Sequence, residues 1–261
     1  MRRGPGLFNR LSVGAGLVFL YAPIVLLVVY SFNASRLVTV WGGWSMRWYA
    51  ALAQDQAMLD AVSVSLRVGL ISASLATAMG LLAAVSLARG GRFRGRALFS
   101  SMVYAPLSLP DVILGLSLLL LFVALGLPRG FWTVTLSHAT VTVGYATVVI
   151  RARLASVDPS LEEAARDLGC PPATAFAKAT LPVIAPAVAA AWMLAFTLSL
   201  DDLVIASFTS GPGATTLPMR LYSAVRLGVN PEINAVSTLL IGAVALGVSL
   251  TSLAIGRRKE A

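Results

Sequence analysis

Long apolar stretches alternate with short polar runs along the whole chain. Six stretches are long enough to cross a bilayer, which takes about 20 apolar residues. They are Leu11–Phe32, Ala61–Ala88, Ala97–Leu125, Trp132–Ile150, Ile184–Phe208 and Ala235–Ile255. Lipid offers no partner to a free backbone N–H or C=O, so each stretch is predicted to be helical. The first reads as a retained span and not as a cleaved signal peptide: it is too long, contains Pro23 and lacks a small-x-small cleavage site. The expectation is an all-α integral membrane protein, one bundle filling residues 1–261 as a single domain.

Composition supports this reading. Hydrophobic residues make up 57% of the chain and charged residues 12%, against about 45–50% and 25% in soluble domains. Disorder is excluded, because it needs low hydrophobicity and high charge. A net charge of +9 raises the question of nucleic acid, but the basic residues sit in short runs between apolar stretches and form no solvated basic face. Most of them fall on one side: Arg2, Arg3 and Arg10; Arg89 to Arg96; Arg151, Arg153, Arg166 and Lys178; and Arg257 to Lys259. The positive-inside rule puts that side, with both termini, in the cytoplasm. A single cysteine, Cys170, leaves no internal disulfide, and a single histidine, His138, leaves no zinc or haem ligand set. No metal site and no catalytic residue is expected. His138 is expected to be packed or hydrogen-bonded within its span, and Cys170 to be a reduced small residue.

Two connections are long. Asn33–Asp60 lies outside and carries Trp41, Trp44, Trp48 and Tyr49, aromatics that settle at headgroup level. The second, at about 151–182, is cytoplasmic. Asp158-Pro159 reads as a helix start, and Glu162 and Glu163 sit near the positive end of that helix. Gly169 ends it. Pro171 and Pro172 turn into a second short helix, which Pro182 is expected to end. Ala164, Ala165 and Leu168 are left available for packing, either on a partner or on the bundle itself.

This second connection resembles the EAA loop of ABC importer permeases. Glu163-Ala164-Ala165, then Gly169, then Leu181-Pro182 stand at that family's spacing, with Ala179 in place of its isoleucine. The segments YSFNASRLVTVWGGWSMRWY, SLPDVILGLSLLLLF, FTLSLDDLVIASFTSGPGATTLPM and VRLGVNPEINA are similar to the polyamine branch of these permeases, with putrescine favoured over spermidine. The resemblance implies a permease fold of about six transmembrane helices in the bacterial inner membrane. It also implies a loop (Glu163, Ala164, Ala165, Leu168, Gly169, Leu181, Pro182) that couples to cytoplasmic ATPase subunits. A second permease subunit, with a heterodimer favoured, and an external polyamine-binding protein complete the implied complex. The chain has no phosphate-binding G-x-x-x-x-G-K-[ST] loop. ATP and Mg would therefore be used by the partner ATPase, and the chain itself holds no cofactor.

Three carboxylates fall inside spans: Asp111, Asp201 and Asp202. An acid at a helix centre costs about 2.5–3.5 kcal/mol on insertion scales and defaults to a functional role. Along straight helices, Asp111 lies about 21 Å from Ala97 and Asp201 about 26 Å from Ile184, at 1.5 Å per residue. The acids can therefore share one level. A polyamine needs separated carboxylates and aromatic faces for its ammonium groups. Asp111 with Asp201 or Asp202 would supply the first, and Tyr222 and Phe208 the second. Adjacent residues on a helix diverge by about 100°, so one of Asp201 and Asp202 is expected to face the path, with Asp202 favoured. The competing role for one of them is to cap a helix end or to pair with Arg220 or Arg226. Alternative functions are a permease for spermidine or another small cation, a cation channel, and an intramembrane aspartyl enzyme.

Overall fold

The computed structural model describes residues 6–37, 39–227, 231–242 and 245. Among them it is all helical, with one isolated antiparallel bridge between Asn33 and Trp44. In chain order the helices are α1 (Leu7–Tyr30), α2 (Arg47–Leu52), α3 (Gln56–Arg89), α4 (Arg96–Ser108), α5 (Asp111–Ala124), α6 (Phe131–Ala155), α7 (Ser160–Asp167), α8 (Pro172–Ala175), α9 (Leu181–Asp201), α10 (Val204–Thr209) and α11 (Leu217–Leu227), followed by α12 (Glu232–Gly242). The chain divides into two units, residues 1–59 with 221–261 and residues 60–220.

Four helices are long and apolar enough to cross a membrane: Phe8–Tyr30, Gln56–Arg89, Phe131–Ala155 and Pro172–Asp201. They match the predicted first, second, fourth and fifth spans. The sixth, Ala235–Ile255, lies mostly outside the described residues. The predicted third span is corrected: α4 and α5 are bent by 118° at the break between them. Leu109 precedes a proline and is therefore held extended (φ −94°, ψ 140°). Pro110 then caps α5 from outside, and the helix restarts at Asp111. The straight-helix distance for Asp111 accordingly fails.

Two further corrections concern the fifth span. It stops at Asp201 and restarts at Val204, so Ile184–Phe208 is not one continuous helix. At its other end, Pro182 does not terminate a helix. A π-helical turn, Phe176–Thr180, joins α8 to α9, and Pro172–Asp201 runs as one 30-residue helix. In an α-helix the ring of Pro182 would clash with the carbonyl of Lys178. The wider π turn that precedes it relieves that clash.

In the first unit, the connection predicted to rest on the membrane surface is folded around Asn33. Its side chain donates to Val40 O (2.7 Å) and accepts from the N–H groups of Ser35 (3.1 Å) and Gly42 (2.7 Å). Its carbonyl accepts from Trp48 Nε1 at 2.6 Å. Trp48 is thus buried, while Trp41 and Trp44 pack edge-on at 5.1 Å and remain exposed.

In the second unit, α6 is central. Ala146, Ile150 and Leu154 pack with Ala84 of α3 and with Ile184 and Ala191 of α9. Nearer its other end, Val134 packs with Val68 and Ala206. The buried hydroxyls of α6 bond back to carbonyls one turn earlier, as in Thr135 to Phe131, Ser137 to Thr133 and Thr142 to His138. Small and hydroxylated residues let neighbouring helices approach closely without leaving polar atoms unpaired.

Candidate functional site

The break between α9 and α10 makes the site. α9 ends at Asp201, and Asp202 is extended (ψ 122°). The Asp202 carboxylate accepts from the N–H groups of Ile205 (3.3 Å) and Ala206 (2.7 Å), so it caps the short helix that follows. The last carbonyls of α9 have no partner within the helix and carry its negative dipole end. On the facing element, Asp111 is the first residue of α5. α5 and α10 lie close because residue 115 is glycine: a Cβ there would stand 2.6 Å from the ring of Phe208.

These elements enclose a cavity of about 320 Å³. Asp111, Asp201 and Asp202 all line it, with His138, Thr142 and Tyr145 of α6 and Ser199 of α9. The three acids singled out from the sequence are therefore brought together, although the third span is not straight. Asp111 and Asp201 are exposed to the cavity, whereas the Asp202 side chain is 14% exposed.

His138 is 2% exposed. Its Nδ1 is 2.7 Å from Ser199 Oγ, and Ser199 Oγ is 3.1 Å from the buried Ser72 Oγ of α3. Its Nε2 lies 3.1 Å from Asp202 Oδ2. That is ion-pair distance, but the ring N–H is not aligned for a hydrogen bond. The sequence reading of His138 as packed and hydrogen-bonded agrees with these contacts but missed its place at the acids. A signal was available: His138, Val141, Thr142 and Tyr145 recur at helical spacing and line the cavity as one face. Tyr145 supplies an aromatic ring there. Phe208 is taken up by the packing against Gly115. Tyr222 belongs to the first unit, where Arg226 lies 4.6 Å above its ring.

The loop at about 151–182 forms a second feature. Asp158 Oδ1 accepts from Ser160 N–H at 2.9 Å, and bonds from the Ser160 backbone and side chain hold its carboxyl below the ordinary value of 3.8. That contribution to α7 is complete above pH 3.8 and is lost as pH falls through the lowered value. Gly169 closes the helix with φ +87°, a conformation costly for a residue with a side chain. Glu163, Ala164 and Leu168 are exposed, Leu168 at 87%. Ala165 is half-buried, Leu181 packs on the core around α6, and Pro182 is exposed. Glu162 Oε2 ties α7 to the end of α3 through Arg89 Nη1 (3.3 Å) and to the π turn through Thr180 Oγ1 (3.1 Å).

Bilayer-length helices, a helix broken at an acidic cavity and a short helix presented beyond the spans define a membrane transport component. The chain belongs to the family of binding-protein-dependent transport system inner membrane components, whose model matches residues 76–257. It is 58% identical over 237 residues to the putrescine transport system permease protein PotI of Escherichia coli strain K12, covering 88% of this chain and 84% of that one. It is 42% identical over 241 residues to the spermidine/putrescine transport system permease protein PotC of the same strain, covering 92% and 90%. Among solved structures, a bacterial ABC transporter that imports the acidic polysaccharide alginate matches with TM-score 0.75 at 17% identity, covering 95% of each chain. The MetNI methionine ABC transporter in an inward-facing form matches with TM-score 0.57 at 18% identity, covering 80% and 95%. The chain is thus a multi-pass inner-membrane permease component and not itself the ATPase. Family membership removes the channel and intramembrane-enzyme alternatives.

Proposed function

We propose that this chain is the membrane-spanning subunit of an ATP-driven importer that carries putrescine into the cytoplasm. The observation that carries the reading is the cavity where Asp111 and Asp201 meet at the carboxyl end of a broken helix. Carboxylates and unpaired helix carbonyls both favour a cation. The Tyr145 ring adds a face for an ammonium group. Putrescine, a short apolar chain with an ammonium at each end, has a cation for each of the two acids. The 58% identity to a putrescine permease supports the same cargo.

In this reading α7 docks on a cytoplasmic ATPase subunit through Glu163, Ala164, Ala165 and Leu168, with Gly169, Leu181 and Pro182 setting its geometry. A second permease subunit completes the pathway, and an external binding protein delivers the cargo. ATP and Mg act in the partner ATPase. ATP binding draws the docked loops together, and the bundle alternates between outward and inward access around the cavity. Coupling requires the cargo to bind the two states with different affinity.

The test is uptake of labelled putrescine by cells lacking only this gene, with excess unlabelled spermidine as a second arm. Loss of uptake in the deletion, with wild-type uptake resisting spermidine, supports putrescine. Strong spermidine competition widens the cargo to polyamines. Unchanged uptake in a strain without another putrescine importer overturns the assignment. Asp111→Asn is expected to raise KM about ten-fold or more, as expected for loss of a charge-assisted contact of about 1.5–3 kcal/mol.

A further inference from the structure

We infer that Asp202 is a positioning residue: with His138 it braces the break between α9 and α10, and so aims Asp201 into the cavity. The inference rests on the transport reading above and divides the acids of that site into two roles.

Asp202 is occupied by the protein itself. Both of its oxygens accept backbone N–H groups of α10, from Ile205 and Ala206. Oδ2 also stands 3.1 Å from His138 Nε2. A cargo ammonium at Asp202 would have to compete with all three. Its neighbour differs: Asp201 is exposed at the last position of α9, and no hydrogen bond from another residue reaches its carboxylate among the described residues. What holds Asp201 there is the chain's exit from the helix one residue later, and that exit is fixed from two directions. The carboxylate cap anchors the start of α10 to residue 202. The buried line from Ser72 of α3 to Ser199 of α9 to His138 of α6 fixes the last turn of α9 against two other helices. The remaining polar groups lining the same cavity are Asp111, Thr142, Tyr145 and Asp201.

The two roles make opposite demands on residue 202. A cargo ligand needs a negative charge. A brace needs an acceptor oxygen; asparagine keeps one, enough for the 2.7 Å bond from Ala206 N–H, and gives up only the longer 3.3 Å bond from Ile205 N–H. Asp201→Asn, Asp202→Asn, Asp202→Ala and His138→Ala are compared in the intact complex, at matched membrane levels, for KM and maximal rate of putrescine uptake. Asp201→Asn is expected to raise KM ten-fold or more. Asp202→Asn is expected to raise it no more than about two-fold, and Asp202→Ala ten-fold or more. His138→Ala is expected to fall between these. If Asp202→Asn raises KM as much as Asp201→Asn does, Asp202 binds cargo and the inference is overturned.

A second measurement needs no cargo. In a Cys170→Ser background, Asp201→Cys is labelled with the neutral thiol reagent N-ethylmaleimide. Adding Asp202→Asn should leave the labelling rate within about three-fold, while adding Asp202→Ala should change it more. Equal effects of the two overturn the brace. Failure of the wild-type complex to take up putrescine would overturn the substrate and leave this labelling comparison to decide the inference.

Discussion

At Gly115 an added Cβ would stand 2.6 Å from Cδ2 of Phe208 and 3.2 Å from its Cγ. The nearest backbone atom of α10, Ile205 Cα, is 3.4 Å away, so the Phe208 ring must swing aside or the two helices must separate. Overpacking of this kind costs about 1–3 kcal/mol. Gly115→Ala is therefore expected to lower the Tm of the purified complex by several degrees, with partial recovery in the double variant carrying Phe208→Leu. An unchanged Tm for Gly115→Ala would show that this contact does not set the spacing. Phe208 also shows what a sequence reveals about single residues. An aromatic six positions after Asp202 is a fair pathway candidate, but nothing in the linear order says that a glycine on another helix will take its ring. Asp111 was legible for the opposite reason. A carboxylate following two prolines in an apolar run has few bland explanations. Tyr145 was missed because a mid-span aromatic usually packs, and only its spacing from His138 and Thr142 marks a polar face.

Prolines account for most of the difference between predicted and observed elements. Pro110 ends a helix, and the extended Leu109 before it turns one expected span into a pair bent by 118°. Pro182, in a similar apolar context, ends nothing, because a π turn absorbs it. Which outcome a proline takes depends on the turn preceding it and on packing, and neither is written locally. The short helix α7 was legible in detail, since its cap, its acidic first turn and its closing glycine are local signals. Its exposed face carries the element-scale prediction. Leu168→Glu puts a charge at the exposed apolar residue through which α7 is proposed to dock. It is expected to abolish co-purification of the ATPase and cut uptake at least ten-fold, while the amount of permease in the membrane stays the same. ATPase retained at wild-type yield would mean that α7 does not dock through Leu168.

For the whole molecule, the distribution of Lys and Arg predicts cytoplasmic termini. Alkaline phosphatase fused at the carboxyl terminus should be inactive, and the same reporter inserted within Asn33–Asp60 should be active; the reverse pattern would invert every side assigned above. Four of the six expected spans were legible as unbroken bilayer-length stretches of helix, because bilayer thickness fixes the required length. The breaks, and the meeting of α5, α6, α9 and α10 at one acidic cavity, were not, because both depend on contacts distant in sequence. One of the unbroken elements sets a mechanical scale. Pro172–Asp201 runs as one helix, through the π turn at Phe176–Thr180, from just after α7 to an acid of the cavity. At 1.5 Å per residue it is about 45 Å long. A lever of that length converts a tilt of about 10° at its Pro172 end into a swing of about 8 Å at Asp201, more than the width of an extended diamine, and the π turn at Phe176–Thr180 is the place where such a stroke would be absorbed.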